Sequence, residues 1–103
     1  IGYPRGAGVM YNGYVEATSV NVLGLDHTLP LEWISETLQR DTVVQGNLDP
    51  QLLLVGGTPM IDAVKSIKQT LGGRPFVFNL GHGVLPGTPL ENVLELVALV
   101  REE

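Results

Sequence analysis

Short apolar runs rich in β-branched and aromatic residues alternate along this chain with longer stretches of helical spacing, and that alternation restricts the possible folds more than any other feature. Strands are expected at Val20 to Leu25, Thr42 to Gly46 and Pro75 to Leu80. The first is apolar almost throughout, as a strand covered on both faces would be. Pro75 opens the last, where a missing N–H does least harm. Helical spacing marks about Gly8 to Thr18, weakened by Gly8 and Gly13, and Pro30 to Gln39 through Leu31, Ile34 and Leu38. A further helix starts at Thr58 and Pro59, presents Ile61, Val64, Ile67 and Leu71 on one side, and stops at Gly72 and Gly73. The last helix carries a capping box, with Thr88 at N-cap, Pro89 at N1 and Glu91 at N3. Its stripe of Leu90, Val93, Leu94, Val97 and Val100 needs a sheet to cover it. The expected class is α/β, three to four βα units with parallel strands.

In a right-handed βα series every strand ends on the same rim, where ligands bind in both open sheets and barrels. The strand ends fall near residues 4, 26, 48 and 81, so Asp26, Asn47, Asp49 and His82 are expected on one face. His82 sits between Gly81 and Gly83, which leave its imidazole uncrowded. It either hydrogen-bonds a carboxylate or exchanges a proton near neutral pH, or it satisfies a backbone carbonyl in a tight turn. Asp26 and Asp49 read as paired carboxylates for acid and base work, or more simply as residues that cap the next helix or brace a turn. Pro50, after Asp49, favours the second account. Arg5 follows the first strand end and either faces an acidic ligand or lies in solvent. The glycine-rich loops Gly81 to Pro89 and Gly56 to Thr58 feed helix N-termini and offer backbone N–H groups to an anion, without the spacing or the lysine of a phosphate-binding loop. Trp33 and the tyrosines at 3, 11 and 14 read as packing residues.

Composition removes several function classes. A net charge of −5, with six basic residues scattered along the chain, leaves no footprint for a phosphate backbone, so no nucleic-acid partner is expected. No apolar run reaches the roughly 18 residues of a membrane span and no signal peptide is apparent. The absence of cysteine excludes disulfides and thiolate metal sites and fits a reducing compartment, so a soluble cytoplasmic protein is expected. The chain opens on Ile1 with no start signal before it and reads as a segment of something longer.

Phe78 to Thr88 (FNLGHGVLPGT), Gln45 to Pro50 (QGNLDP) and Gly24 to Asp26 (GLD), at their spacings, resemble the uroporphyrinogen decarboxylase family. Pro4 to Gly8 (PRGAG) is similar to the family's preceding strand end, and the resemblance covers essentially the whole chain. It implies a C-terminal portion of a (β/α)8 barrel, residues 1–103 forming an incomplete domain, since a whole barrel takes about 250 residues. It implies a carboxy-lyase of haem biosynthesis that converts the four acetate side chains of uroporphyrinogen III to methyls, giving coproporphyrinogen III, without metal or organic cofactor. The protonated pyrrole serves as electron sink, CO2 leaves, and the enamine-like carbon is reprotonated. It further implies a homodimer. His82 inherits a place in the substrate cleft, and Asp26, Asn47 and Asp49 a position near it. The family's catalytic aspartate, cleft tyrosine and arginine-bearing motif lie outside these residues, so no catalytic residue is assigned among them. The role of His27 stays open.

Two other readings compete. A cobalamin-dependent methyltransferase on the same barrel shares much of this pattern, but such enzymes resemble this chain while holding zinc through histidine and cysteine, and no cysteine is present. A non-catalytic module would use the glycine-rich loops for anion binding or assembly. The segment alone is expected to be inactive and to pair with other copies through its cut strand edges.

Overall fold

A computed structural model describes residues 1–102. Its strands are β1 (Val22–Gly24), β2 (Val43–Leu48) and β3 (Phe76–Leu80), in the order β1-β2-β3 and parallel throughout. Val22 stands beside Val43, and Val44 beside Phe76, so the registers are continuous across the sheet. Gly2 bridges Leu23 in parallel on the free side of β1. The helices are α1 (Tyr11–Thr18), preceded by a 3-10 turn over Gly8–Met10, α2 (Leu31–Trp33), α3 (Pro50–Val55), α4 (Gly57–Leu71) and α5 (Leu90–Arg101).

Strands added in chain order by crossovers of one hand put their helices on a single face of the sheet. The burial of β3 agrees: Phe76, Phe78 and Leu80 are half-buried and pack against the core, whereas Val77 and Asn79 are exposed. Leu23, Val44 and Leu48 continue the covered face and meet Met60, Val64, Ile67 and Leu71 of α4 within one core. The opposite face is open. Burial of apolar side chains on one side only is what holds the sheet, each such chain contributing about 1.5–3 kcal/mol.

The expected strands are all present, with β2 running on to Leu48 instead of stopping at Gly46. α2 passes into a π-helical turn over Ile34–Leu38, so the expected helix exists but is widened where Ile34 and Leu38 enter the core. α3 was not legible as a helix. Its signal was present, for Asp49 and Pro50 are a good N-cap and N1 pair, and the Asp49 side chain accepts from the Gln51 N–H at 2.9 Å. Six residues ending at Gly56 and Gly57 are too few to show a period.

The capping box of the last helix does not form. The Thr88 hydroxyl donates to the Leu85 carbonyl at 2.7 Å, inside the preceding turn, and the helix begins at Leu90 after an extended Pro89. The stripe of α5 is divided as well. Leu96 is buried, and Val93, Leu99 and Val100 pack against the core, but Leu90, Leu94 and Val97 are exposed. The helix packs chiefly on α3 and α4, so the turn positions facing those two helices are the covered ones. Among the described residues no helix is long and apolar enough to cross a membrane.

Candidate functional site

The C-terminal ends of the strands lie together. Gly81 continues the ladder by donating its N–H to the Leu48 carbonyl at 2.8 Å, and the loop after β1 touches the loop after β3 at the same level. There Gly81 lies so close to His27 that a Cβ on it would stand 2.3 Å from the His27 nitrogen. Only a glycine fits. His82 leaves the sheet from this point and is exposed on the open face. A cleft of about 420 Å³ opens there, lined by Gly24, Gln45, Asn79 and His82 together with Tyr3 and Gly83. Gln45 and Asn79 project from the helix-free side of β2 and β3, as their alternation with Val44 and Leu80 requires.

Asp26 is near this cleft in the fold but turned away from it. It is 2% exposed, and its carboxylate accepts from the Gly6 N–H at 2.8 Å, the Thr28 N–H at 2.9 Å, the Thr28 hydroxyl and the Tyr11 hydroxyl at 3.4 Å. Burial pushes its pKa up, but the bonds from Thr28, Gly6 and Tyr11 outweigh that and hold the carboxyl below its ordinary value. Tyr11 is wholly buried and accepts in turn from the Asp26 N–H at 3.2 Å. Burial first, and the adjacent Asp26 charge with it, raises the Tyr11 pKa well above its ordinary value. Asp26 thus binds the loop after Gly2 to the loop after β1.

Asn47 plays a similar part. Its amide donates to the carbonyls of Asp26 at 2.9 Å and Leu29 at 3.4 Å, with 5% of the residue exposed. The strand turns at Gly46, whose φ of +142° and close approach to the Leu25 carbonyl suit glycine alone. Asn47, Asp49 and His27 line a second crevice of about 290 Å³, between the rim and α3 and α4. Arg5 is exposed. It lies near enough to Tyr3 that its charge opposes the rise in the Tyr3 pKa caused by burial and by Asp26.

Of the five expected site residues, only His82 lines the main cleft; Asp26 and Asn47 secure loops, Asp49 caps α3, and Arg5 stands beside Tyr3. Gln45, Asn79 and Tyr3 line the cleft and were not singled out from the sequence. Gln45 and Asn79 were discoverable by strand parity, since both fall on the side opposite the core positions. Tyr3 gave no such signal.

A parallel sheet wound in one direction, bare on one face and bearing polar side chains at its carboxyl rim, defines the class of βα-repeat proteins that bind ligands at that rim. The comparisons narrow this. The sequence model described as "Uroporphyrinogen decarboxylase (URO-D)" matches residues 1–103, and the chain belongs to the uroporphyrinogen decarboxylase family. It is 54% identical over 101 residues to a uroporphyrinogen decarboxylase of Rhodospirillum rubrum, covering 98% of this chain and 29% of that protein. Identity is 49% over 102 residues with the Chelativorans enzyme of the same name (99% and 30% covered) and 46% over 101 residues with that of Brucella ovis (98% and 29%). The chain therefore spans about 30% of the length of these relatives.

Proposed function

We propose that residues 1–103 are the C-terminal segment of a uroporphyrinogen decarboxylase and furnish the His82-bearing part of its substrate cleft. The observation that carries the reading is that the family match covers the whole chain while His82, in that family's NLGHG motif, opens into the cleft on the bare face. The sheet is one arc of a (β/α)8 barrel and its bare face the barrel interior. Support comes from the consecutive strand order, the one-sided helices, and the exposed Val77 and Leu90, Leu94 and Val97, which the remaining chain would cover.

In the reaction, one pyrrole of uroporphyrinogen III takes a proton on a ring carbon, and the cationic ring that results is an electron sink. The bond between the acetate methylene and its carboxyl carbon breaks, the electron pair enters the ring, and CO2 leaves. Protonation of the exocyclic carbon then gives the methyl group, and loss of the ring proton restores the pyrrole. Four such rounds give coproporphyrinogen III. His82 supplies an imidazole that hydrogen-bonds a substrate carboxylate or exchanges a proton at the cleft. Gln45 and Asn79 offer carboxamide groups to the same substrate. The segment holds one arginine near the cleft, Arg5, so most of the positive charge an octacarboxylate needs comes from the rest of the protein. The whole protein is a cytoplasmic homodimer in this reading.

The test is the full-length protein carrying His82→Asn. Turnover of uroporphyrinogen to coproporphyrinogen, followed by chromatography of the oxidised porphyrins, is expected to fall at least tenfold with the thermal midpoint unchanged. Undiminished turnover would overturn the assignment.

A further inference from the structure

We infer that Tyr3 is a positioning residue for His82: its hydroxyl holds the peptide unit from which the cleft histidine projects. This rests on the decarboxylase reading for its consequence in turnover, but not for its geometry.

The Tyr3 hydroxyl donates to the Gly81 carbonyl, across 78 positions of sequence. That oxygen belongs to the peptide joining Gly81 to His82, and because a peptide unit is planar, fixing its carbonyl fixes the direction in which the next N–H and Cα leave it. The other end of Gly81 is secured by its N–H bond to Leu48. Its α-carbon is wedged against the His27 backbone. Glycine is otherwise the residue with the most backbone freedom to lose, so these three constraints act where rotation would be easiest. Among the described residues no hydrogen bond holds the imidazole: the residue is exposed, and Gly83 and Val84 after it are exposed too. Its placement therefore depends on the Gly81 peptide.

The path of the tyrosine is prepared. Gly2 pairs with β1, which sets Tyr3 at the edge of the bare face, and the ring crosses directly over Gly24, where an added Cβ would stand 3.1 Å from Cδ1. A side chain at residue 24 would displace the ring. Tyr3 thereby spans the arc from its first strand position to the loop after its last, and its hydroxyl lies at the cleft wall with its proton held, since burial and the Asp26 charge raise its pKa. A residue that read from the sequence as packing alone has one polar atom, and that atom is spent on the loop carrying the histidine.

The experiment compares Tyr3→Phe, His82→Asn and the double variant in the full-length protein. Phenylalanine keeps the ring over Gly24 and removes only the hydroxyl. Loss of one net hydrogen bond corresponds to about a 2- to 12-fold change, so kcat/KM for uroporphyrinogen is expected to fall by that factor in Tyr3→Phe, and not to fall further when the substitution is added to His82→Asn. Amide hydrogen exchange at Gly81, whose N–H is bonded to the Leu48 carbonyl, is expected to quicken by a similar factor, with exchange of the β2 amides unchanged. Losses that simply multiply in the double variant would overturn the inference, as would unchanged exchange at Gly81. If the parent protein does not decarboxylate uroporphyrinogen at all, the functional reading fails, while the exchange measurement still decides whether Tyr3 holds the peptide.

Discussion

Replacing Asp26 by asparagine separates a residue that holds the rim together from one that handles substrate. The two carboxylate oxygens are fully used: one accepts from the Thr28 N–H and hydroxyl, the other from Gly6 N–H and Tyr11 hydroxyl. Asparagine keeps one acceptor oxygen. With that oxygen turned to Thr28, its amide nitrogen faces the Gly6 N–H, donor against donor, across what was a 2.8 Å bond. Turned the other way, the conflict moves to the Thr28 N–H. Either orientation loses a part-buried hydrogen bond to a charged acceptor, so the expected destabilisation is about 1.5–3 kcal/mol. Urea unfolding of the full-length protein reads this as a lower midpoint. kcat/KM per folded molecule should stay within about threefold of the parent, as expected when no interaction with the transition state is removed. The effect also has a pH signature. Because the folded pKa lies below the ordinary 3.8, the ionised group's contribution is complete above that value and is lost as pH falls through the folded value. The stability gap between parent and variant should therefore narrow as pH is lowered below 3.8 through the folded value. An unmoved urea midpoint with lost turnover would refute this account and place the carboxylate on the substrate.

Gly81→Ala forces a Cβ to within 2.3 Å of backbone at His27, and since neither side is a flexible chain end, overpacking of about 1–3 kcal/mol and loss of turnover are expected together, read by thermal unfolding and assay. Asn92→Ala removes the amide that donates to the carbonyls of Leu53 at 3.0 Å and Leu54 at 3.2 Å at the end of α3; a loss of about 1–2 kcal/mol is expected in urea, without effect on kcat/KM.

Strand positions and parallel winding were legible because long runs such as Val20 to Leu25 and Pro75 to Leu80 carry a strong local signal, and Gly72 and Gly73 mark where α4 must stop. What was hidden depended on partners. Nothing local tells whether Thr88 will accept from the helix or donate to Leu85, and the structure chooses the latter. Likewise, the core side of α5 is set by where α3 and α4 lie, so Leu96 is buried although the stripe through Leu90 and Leu94 was the more obvious pattern. At the rim, His82 stood out through its flanking glycines, while the alternative of Asp26 as a turn brace is the one its four bonds realise. Tyr3 was unreadable as a cleft residue because its hydrogen-bond partner is 78 residues away.

Three of the bonds at the rim join loops of different units: Asp26 to Gly6, Asn47 to Leu29, Tyr3 to Gly81. A single loop grafted from a distant relative would arrive with its stitches cut, leaving stranded donors in the neighbours it was meant to join. Redesign of specificity in such a segment must exchange these loops as a matched set.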